Sequence, residues 1–154
     1  MDKQVLKPEL IAQLEATLAT ARIAHASAIE GSTHEEARAE NDKDTRGLEQ
    51  SYLARGQAQR VAELEAAVGD VVALALRTFT ATSVVALSAL VTIDEDDQQF
   101  FIAPAGGGCI LADGVQVVTP SSPLGRALLG KRIDDEVELQ LPGKLRSFAI
   151  TSIH

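Results

Sequence analysis

The densest chemistry in this 154-residue chain is an acidic run, with Glu30, Glu35, Glu36, Glu40, Asp42 and Asp44 answered only by Arg38 and Lys43. The local net charge of −4 is half the formal −8 of the whole chain. If residues 33–44 continue as helix, Glu36 and Glu40 stand at i and i+4 on one face, a spacing that presents two carboxylates to one cation. The same run also reads as a solvated helix cap and turn, the usual fate of a charge run. Both readings stay open on the residues alone.

Other reactive side chains are sparse. His25 and His34 lie nine apart, which matches no zinc spacing, and His25 falls on an apolar seam where packing accounts for it. A single cysteine, Cys109, excludes an internal disulfide framework and a multi-cysteine zinc site; with no basic partner nearby in sequence, it reads as a small buried apolar residue. The stretch Pro104-Ala105-Gly106-Gly107-Gly108 lacks the Lys-Ser/Thr and helix of a phosphate loop, so a turn is expected. Net acidity argues against a sequence-independent grip on nucleic acid, which needs clustered Lys and Arg. An acidic protein can still act beside nucleic acid by binding the enzyme that holds it. Aromatics at 3% disfavour base-stacking platforms and aromatic-lined pockets. The chain opens without a signal-type segment and has no apolar run near the roughly 18 residues of a membrane span, so a cytoplasmic protein is expected.

The acidic run must be positioned by helices. Up to about Leu76 the chain is rich in Ala, Leu, Glu, Gln and Arg, and Pro8 is expected in a first helical turn. Ile11, Leu14, Leu18, Ala21, His25 and Ala28 follow the spacing of a coiled-coil seam, as do Val61, Leu64, Val68 and Val71. Leu48 and Tyr52 lie one face further back. Between the stripes, Gly31 can end one helix and Ser32 or Thr33 can cap the next. The pattern predicts an antiparallel helical hairpin over residues 1–77, with its acidic tip near 30–44. Arms of about 25–30 residues would reach roughly 40 Å.

From Thr78 onward the period changes to that of strands, and residues 78–154 read as a second domain. Val84 to Thr92 and Gln98 to Ile102 flank Asp94-Glu95-Asp96-Asp97, a segment with hairpin-turn chemistry. Further strands are expected at Val115–Val118, Glu136–Leu141 and Leu145–Ile150, the last two joined through Pro142-Gly143. Ser122 to Gly130 reads as one short helix with a serine cap, a proline at its first position and a glycine at its end, its Leu124, Leu128 and Leu129 facing a core. The fold class is α+β: a helical hairpin followed by a small sheet with one short helix.

The stretch from Thr119 to Lys131, with Ser-Pro followed by Gly-Arg-Ala-Leu-Leu-Gly-Lys, resembles the pattern of GreA/GreB-type transcript-cleavage elongation factors. Asp135-Glu136-Val137, Pro142-Gly143 and a closing strand ending at Ile153 follow at the family's usual distances. This resemblance covers roughly residues 82–153. The N-terminal half is similar in architecture more than in motif, with Glu35 to Asn41 and Asp44 to Glu49 looking like a divergent branch.

The resemblance implies an accessory factor of bacterial RNA polymerase, not an enzyme in its own right. Its C-terminal domain, similar in fold to FK506-binding proteins, would dock on the rim of the polymerase's secondary channel, with Ser121, Ser122 and Pro123 in the contact surface. A helix N-terminus there presents N–H groups suited to a partner's carboxylate or carbonyl. The hairpin would enter the channel, where tip carboxylates (Glu36 and Glu40 on the metal, Asp42 and Asp44 near it) help cleave backtracked RNA and rescue stalled complexes. No cofactor is expected on the protein alone; Mg²⁺ would be shared with the polymerase, and the RNA 3′ end met only inside that complex. Mg²⁺ takes oxygen ligands and few protein carboxylates, and two ions about 4 Å apart stabilise an in-line displacement.

The tip departs from the family. Aligning Glu40-Asn41 with the family's Glu-Asn leaves Ala37 where an acid is usual, while a register set from Gly56 puts Lys43 at the Glu position. Neither recovers the full acidic pair, so a non-cleaving, channel-occupying regulator stands as the alternative, and an interaction module without polymerase contact as a third. Prolyl isomerase activity is not expected without the aromatic pocket it needs. A hairpin that enters a channel is expected to be free at its tip, in a monomer.

Overall fold

The computed structural model describes residues 2–38 and 46–154, with side chains described for all of these except 32–38, 46, 47 and 50. Two helices, α1 (Lys3–Arg38) and α2 (Arg46–Val72), precede strands β1 (Leu90–Ile93), β2 (Gln99–Ile102) and β3 (Gln116–Val118). Helix α3 (Pro123–Leu128) and strands β4 (Glu136–Leu141) and β5 (Lys144–Ile153) complete the chain. The architecture is α+β, as the change of period near residue 78 implies. It divides into two compact units, Met1–Ala12 with Gly69–His154, and Gln13–Val68. The first turns of α1 and the last of α2 therefore belong with the sheet.

Within Gln13–Val68 the two helices pack along the expected stripes. Leu14, Leu18, Ala21 and Ala28 are buried on α1, and Leu18 and Ala21 cluster with Leu64, Val61 and Val68 of α2. His25 is half-buried on this seam, whereas Leu48 and Tyr52 are exposed. Arg22 reaches Glu65 at 3.3 Å, but both side chains are more than half exposed, so the pair adds little.

Two expectations for α1 are corrected. Gly31 does not end the helix, which runs through it to Arg38. A glycine in a helix interior costs only about 1 kcal/mol against alanine, too little by itself to stop a helix. Pro8 lies inside the helix, not in its first turn, because the helix starts at Lys3. Asp2 makes that start possible: its Oδ1 accepts the Gln4 N–H at 2.8 Å, and its carbonyl accepts those of Val5 and Leu6. Leu6 and Leu10, both fully buried, then hold the turns that flank the proline.

The sheet has the order β3-β2-β1-β5-β4, antiparallel except for the parallel β2–β3 pair. Asp96 and Asp97, both at positive φ, turn β1 into β2, and Gly143 at φ +78° does the same between β4 and β5. On β4 the alternation is clean, with Val137 and Leu139 buried between exposed Glu136, Glu138 and Gln140. The core gathers Val91, Ile93, Phe100, Ile102, Val118, Leu128, Val137, Phe148 and Ile150. The strand expected from Val84 begins only at Leu90. Ser88, at φ +72°, breaks the extended run, and Ala89 N–H bonds back to the Ala86 carbonyl. Ser88 is fully buried, yet its hydroxyl is satisfied by accepting the Arg77 N–H at 2.9 Å.

Candidate functional site

The best-built functional feature is the turn into α3. Thr119's carbonyl accepts two bonds from Ser122, one from its N–H at 3.1 Å and one from its hydroxyl at 2.8 Å. The same Ser122 Oγ accepts the Gly125 N–H at 3.0 Å, the N-cap bond expected of serine there. Pro123 occupies the first helical turn, where its missing N–H costs nothing. Gly125 is required for close approach: a Cβ there would fall 1.9 Å from the Thr119 carbonyl oxygen. The helix is tied down at its far end as well. Gly130, at φ +80°, donates to the Val85 carbonyl, while Val85 donates to that of Lys131, and Leu128 is fully buried in the core. Leu124 and Leu129 pack partly buried against it.

This clamp decides what each member of the Ser121-Ser122-Pro123 triplet can offer. Ser122 is half-buried with its hydroxyl used both as donor and acceptor within the turn. Ser121 and Pro123 are exposed, and Ser121 Oγ lies 3.4 Å from Thr119 Oγ1. Alongside, a shallow cleft of about 410 Å³ is lined by Arg126, Ala127, Lys131, Glu136 and Glu138. The motif therefore presents a rigid polar and proline edge beside charges of both signs.

The side chains of the acidic candidates lie outside the described residues. Glu36 lies on α1, but its side chain is outside the described residues, as are Glu40, Asp42 and Asp44 altogether. Among the described residues no three His, Cys, Asp or Glu side chains are grouped to hold a metal ion. His34 has no described side chain. Cys109 departs from its expectation in being half-buried, and that partial burial pushes its thiol pKa up. It follows a turn in which Gly106 and Gly108 take φ of +84° and +90°, so the glycine run is a turn, as expected. No described helix is long and apolar enough to cross a membrane.

Sequence reasoning passed over several residues that shape this unit: Asp2 as helix cap, Ser88 as buried acceptor, and Glu9, whose Oε2 accepts the Ala112 N–H at 3.0 Å. It also passed over a cluster of Lys3, Arg77 and Phe79. Only Asp2 had a local signal, an acid ahead of a helical run. The others depend on partners 11 to 103 residues away.

Comparison with known proteins gives the motif its context. Residues 80–154 match the family model for the C-terminal part of the transcription elongation factors GreA/GreB. The transcription elongation factor GreA of Zymomonas mobilis is 29% identical over 126 residues, covering 77% of this chain and 76% of that protein. The GreA of Sphingopyxis alaskensis is also 29% identical over 126 residues, with the same coverage. Among solved structures, Gfh1 of Thermus aquaticus is 22% identical, covers 93% of this chain and 92% of its own, and has a TM-score of 0.41. Residues 80–154, which hold the whole α3 clamp, match the GreA/GreB C-terminal family, and together with the GreA relatives they support a divergent GreA/GreB-type factor.

Proposed function

We propose that this elongation factor acts on RNA polymerase as an accessory protein. It docks at the rim of the secondary channel through the α3 edge and carries its acidic segment toward the polymerase's active site. There it stimulates cleavage of backtracked RNA, so that stalled elongation complexes resume. The observation that carries this reading is the α3 clamp within the matched region. It immobilises Ser122 and Gly125 and leaves Ser121 and Pro123 exposed, a preformed edge that costs little ordering on binding.

Glu36 and Glu40 are the residues that would hold a Mg²⁺ ion shared with the polymerase, since carboxylate oxygen is the donor this ion prefers. Such an ion, when bound, supplies positive charge to the attacking and leaving oxygens of a phosphoryl displacement. Asp42 and Asp44 add negative potential that favours a cation at the tip. The chemistry then belongs to the polymerase, and this chain supplies position and charge.

A second reading is favoured by the tip itself, where neither register restores the family's acidic pair. On that reading the protein occupies the same channel without cleaving, and modulates or inhibits transcription. Binding to purified polymerase and transcript cleavage, measured on the same complexes, separate the two. Glu40→Ala is expected to remove most of the stimulated cleavage while binding is unchanged; retained cleavage contradicts the residue assignment. Ser121→Glu combined with Pro123→Glu is expected to weaken binding with the fold intact, and undiminished affinity contradicts the docking surface.

A further inference from the structure

One corner of the sheet-bearing unit carries positive charge that the proposed function leaves unused. Lys3, in the first turn of α1, and Arg77, just beyond α2, converge on the ring of Phe79. The Lys3 Nζ lies 4.6 Å from the ring centroid and the Arg77 guanidinium carbon 5.3 Å from it. Phe79 is half-buried and packed against the sheet's core, so its ring is a fixed platform. Each cation gains from the aromatic face, but two cations at one ring repel each other. Partial burial, and then the charge of Arg77, hold the Lys3 ammonium below the ordinary lysine range.

The Lys3 ammonium donates to the Arg77 carbonyl at 2.5 Å, and neither residue forms an ion pair among the described residues. Asp2, the nearest carboxylate in sequence, is engaged at the helix start by the Gln4 N–H. Both cations line an open cleft of about 380 Å³ together with Asp2, Gln4, Leu76, Thr78, Phe79 and His154, the Asp2 carboxylate being held by the Gln4 N–H.

We propose that this cleft is an anion site that takes a phosphate group, with the Lys3 ammonium and the Arg77 guanidinium as its donors. The ammonium keeps two of its three N–H groups after the bond to the Arg77 carbonyl, and the guanidinium offers a planar fork suited to phosphate oxygens. An anion between them removes the mutual repulsion and forms charge-assisted hydrogen bonds. Both donors are cations suited to phosphate oxygens, so phosphate is the recognised part whether free or carried by a nucleotide.

The test is a titration of the full chain with inorganic phosphate at constant ionic strength, followed by amide NMR, with a nucleoside triphosphate in a parallel arm. Saturable shifts confined to residues 2–4 and 76–79 are expected, and sodium chloride alone should not reproduce them. Lys3→Gln and Arg77→Gln should each weaken the affinity roughly tenfold or more, the loss typical of a hydrogen bond to a charged group. Lys3→Arg should retain it, and unshifted sheet amides establish that each variant is folded. Tighter saturation by the triphosphate at the same amides identifies a nucleotide as the source, and equal affinity identifies free phosphate. Non-saturating shifts, shifts elsewhere, or affinity unchanged in both Gln variants would overturn the proposal without touching the polymerase reading.

Discussion

Gly125→Ala offers a prediction whose sign depends on the structure. Judged by helix propensity alone, alanine should stabilise α3 by roughly 0.5–1 kcal/mol over glycine. The packing says the opposite. The added Cβ would lie 1.9 Å from the Thr119 carbonyl oxygen and 2.8 Å from its carbon, where about 3.3 Å is the usual approach of carbon to oxygen. The obstruction is backbone, so a flexible side chain cannot swing away, and the Thr119 turn must retreat by more than about 1 Å. Retreat breaks the bond from the Ser122 hydroxyl to Thr119 and misaligns the one from Gly125, each worth about 1 kcal/mol. Overpacking adds about 1–3 kcal/mol. After allowing for propensity, the net destabilisation is roughly 2–4 kcal/mol. For a chain of this size that lowers the midpoint by roughly 5–15 °C. Calorimetry, with the sheet's amide signals reporting which unit melts, measures it. An unchanged or raised midpoint would refute the clamp.

Leu10→Ala should destabilise the sheet-bearing unit by about 2–5 kcal/mol although it lies on a helix, because Leu10 is fully buried there; loss of sheet amide protection is the readout. Ser88→Ala should cost about 1–3 kcal/mol by leaving the Arg77 N–H without its acceptor, measured by urea unfolding, whereas Ser83→Ala at an exposed turn should cost less. Cys109 should alkylate more slowly at neutral pH than an exposed cysteine in a peptide. Its burial raises the thiol pKa, so the rate should climb only above the ordinary thiol range; a profile shifted to lower pH contradicts the assigned environment.

Much of this fold was legible because its signals are local. The Ser122 cap, Pro123 and the terminal Gly130 lie within one short segment, and each does in the structure what its residue type implies. The alternation of β4 and the acidic turn after β1 are equally local. The misreadings came where a local signal was weak or where packing decided instead. Gly31 looked like a helix end, yet α1 continues through it. Val84 to Ser88 looked like strand, yet the buried Ser88 takes a positive φ and its hydroxyl accepts the distant Arg77 N–H. Leu6, Leu10 and Glu9 sit on the first helix but serve the unit built from the chain's other end. The α3 edge was named from its motif, but periodicity could not tell that Ser122 faces inward while Ser121 and Pro123 face out. For the acidic tip, the sequence supplies charge and spacing alone.

The most direct test of the account is the rate of transcript shortening in purified, backtracked elongation complexes with and without this protein. The account predicts faster cleavage of the RNA 3′ end when the protein is present, with dependence on the polymerase's Mg²⁺. Shortening no faster than with polymerase alone, at concentrations where the protein is bound, would contradict it and leave the channel-occupying regulator in its place.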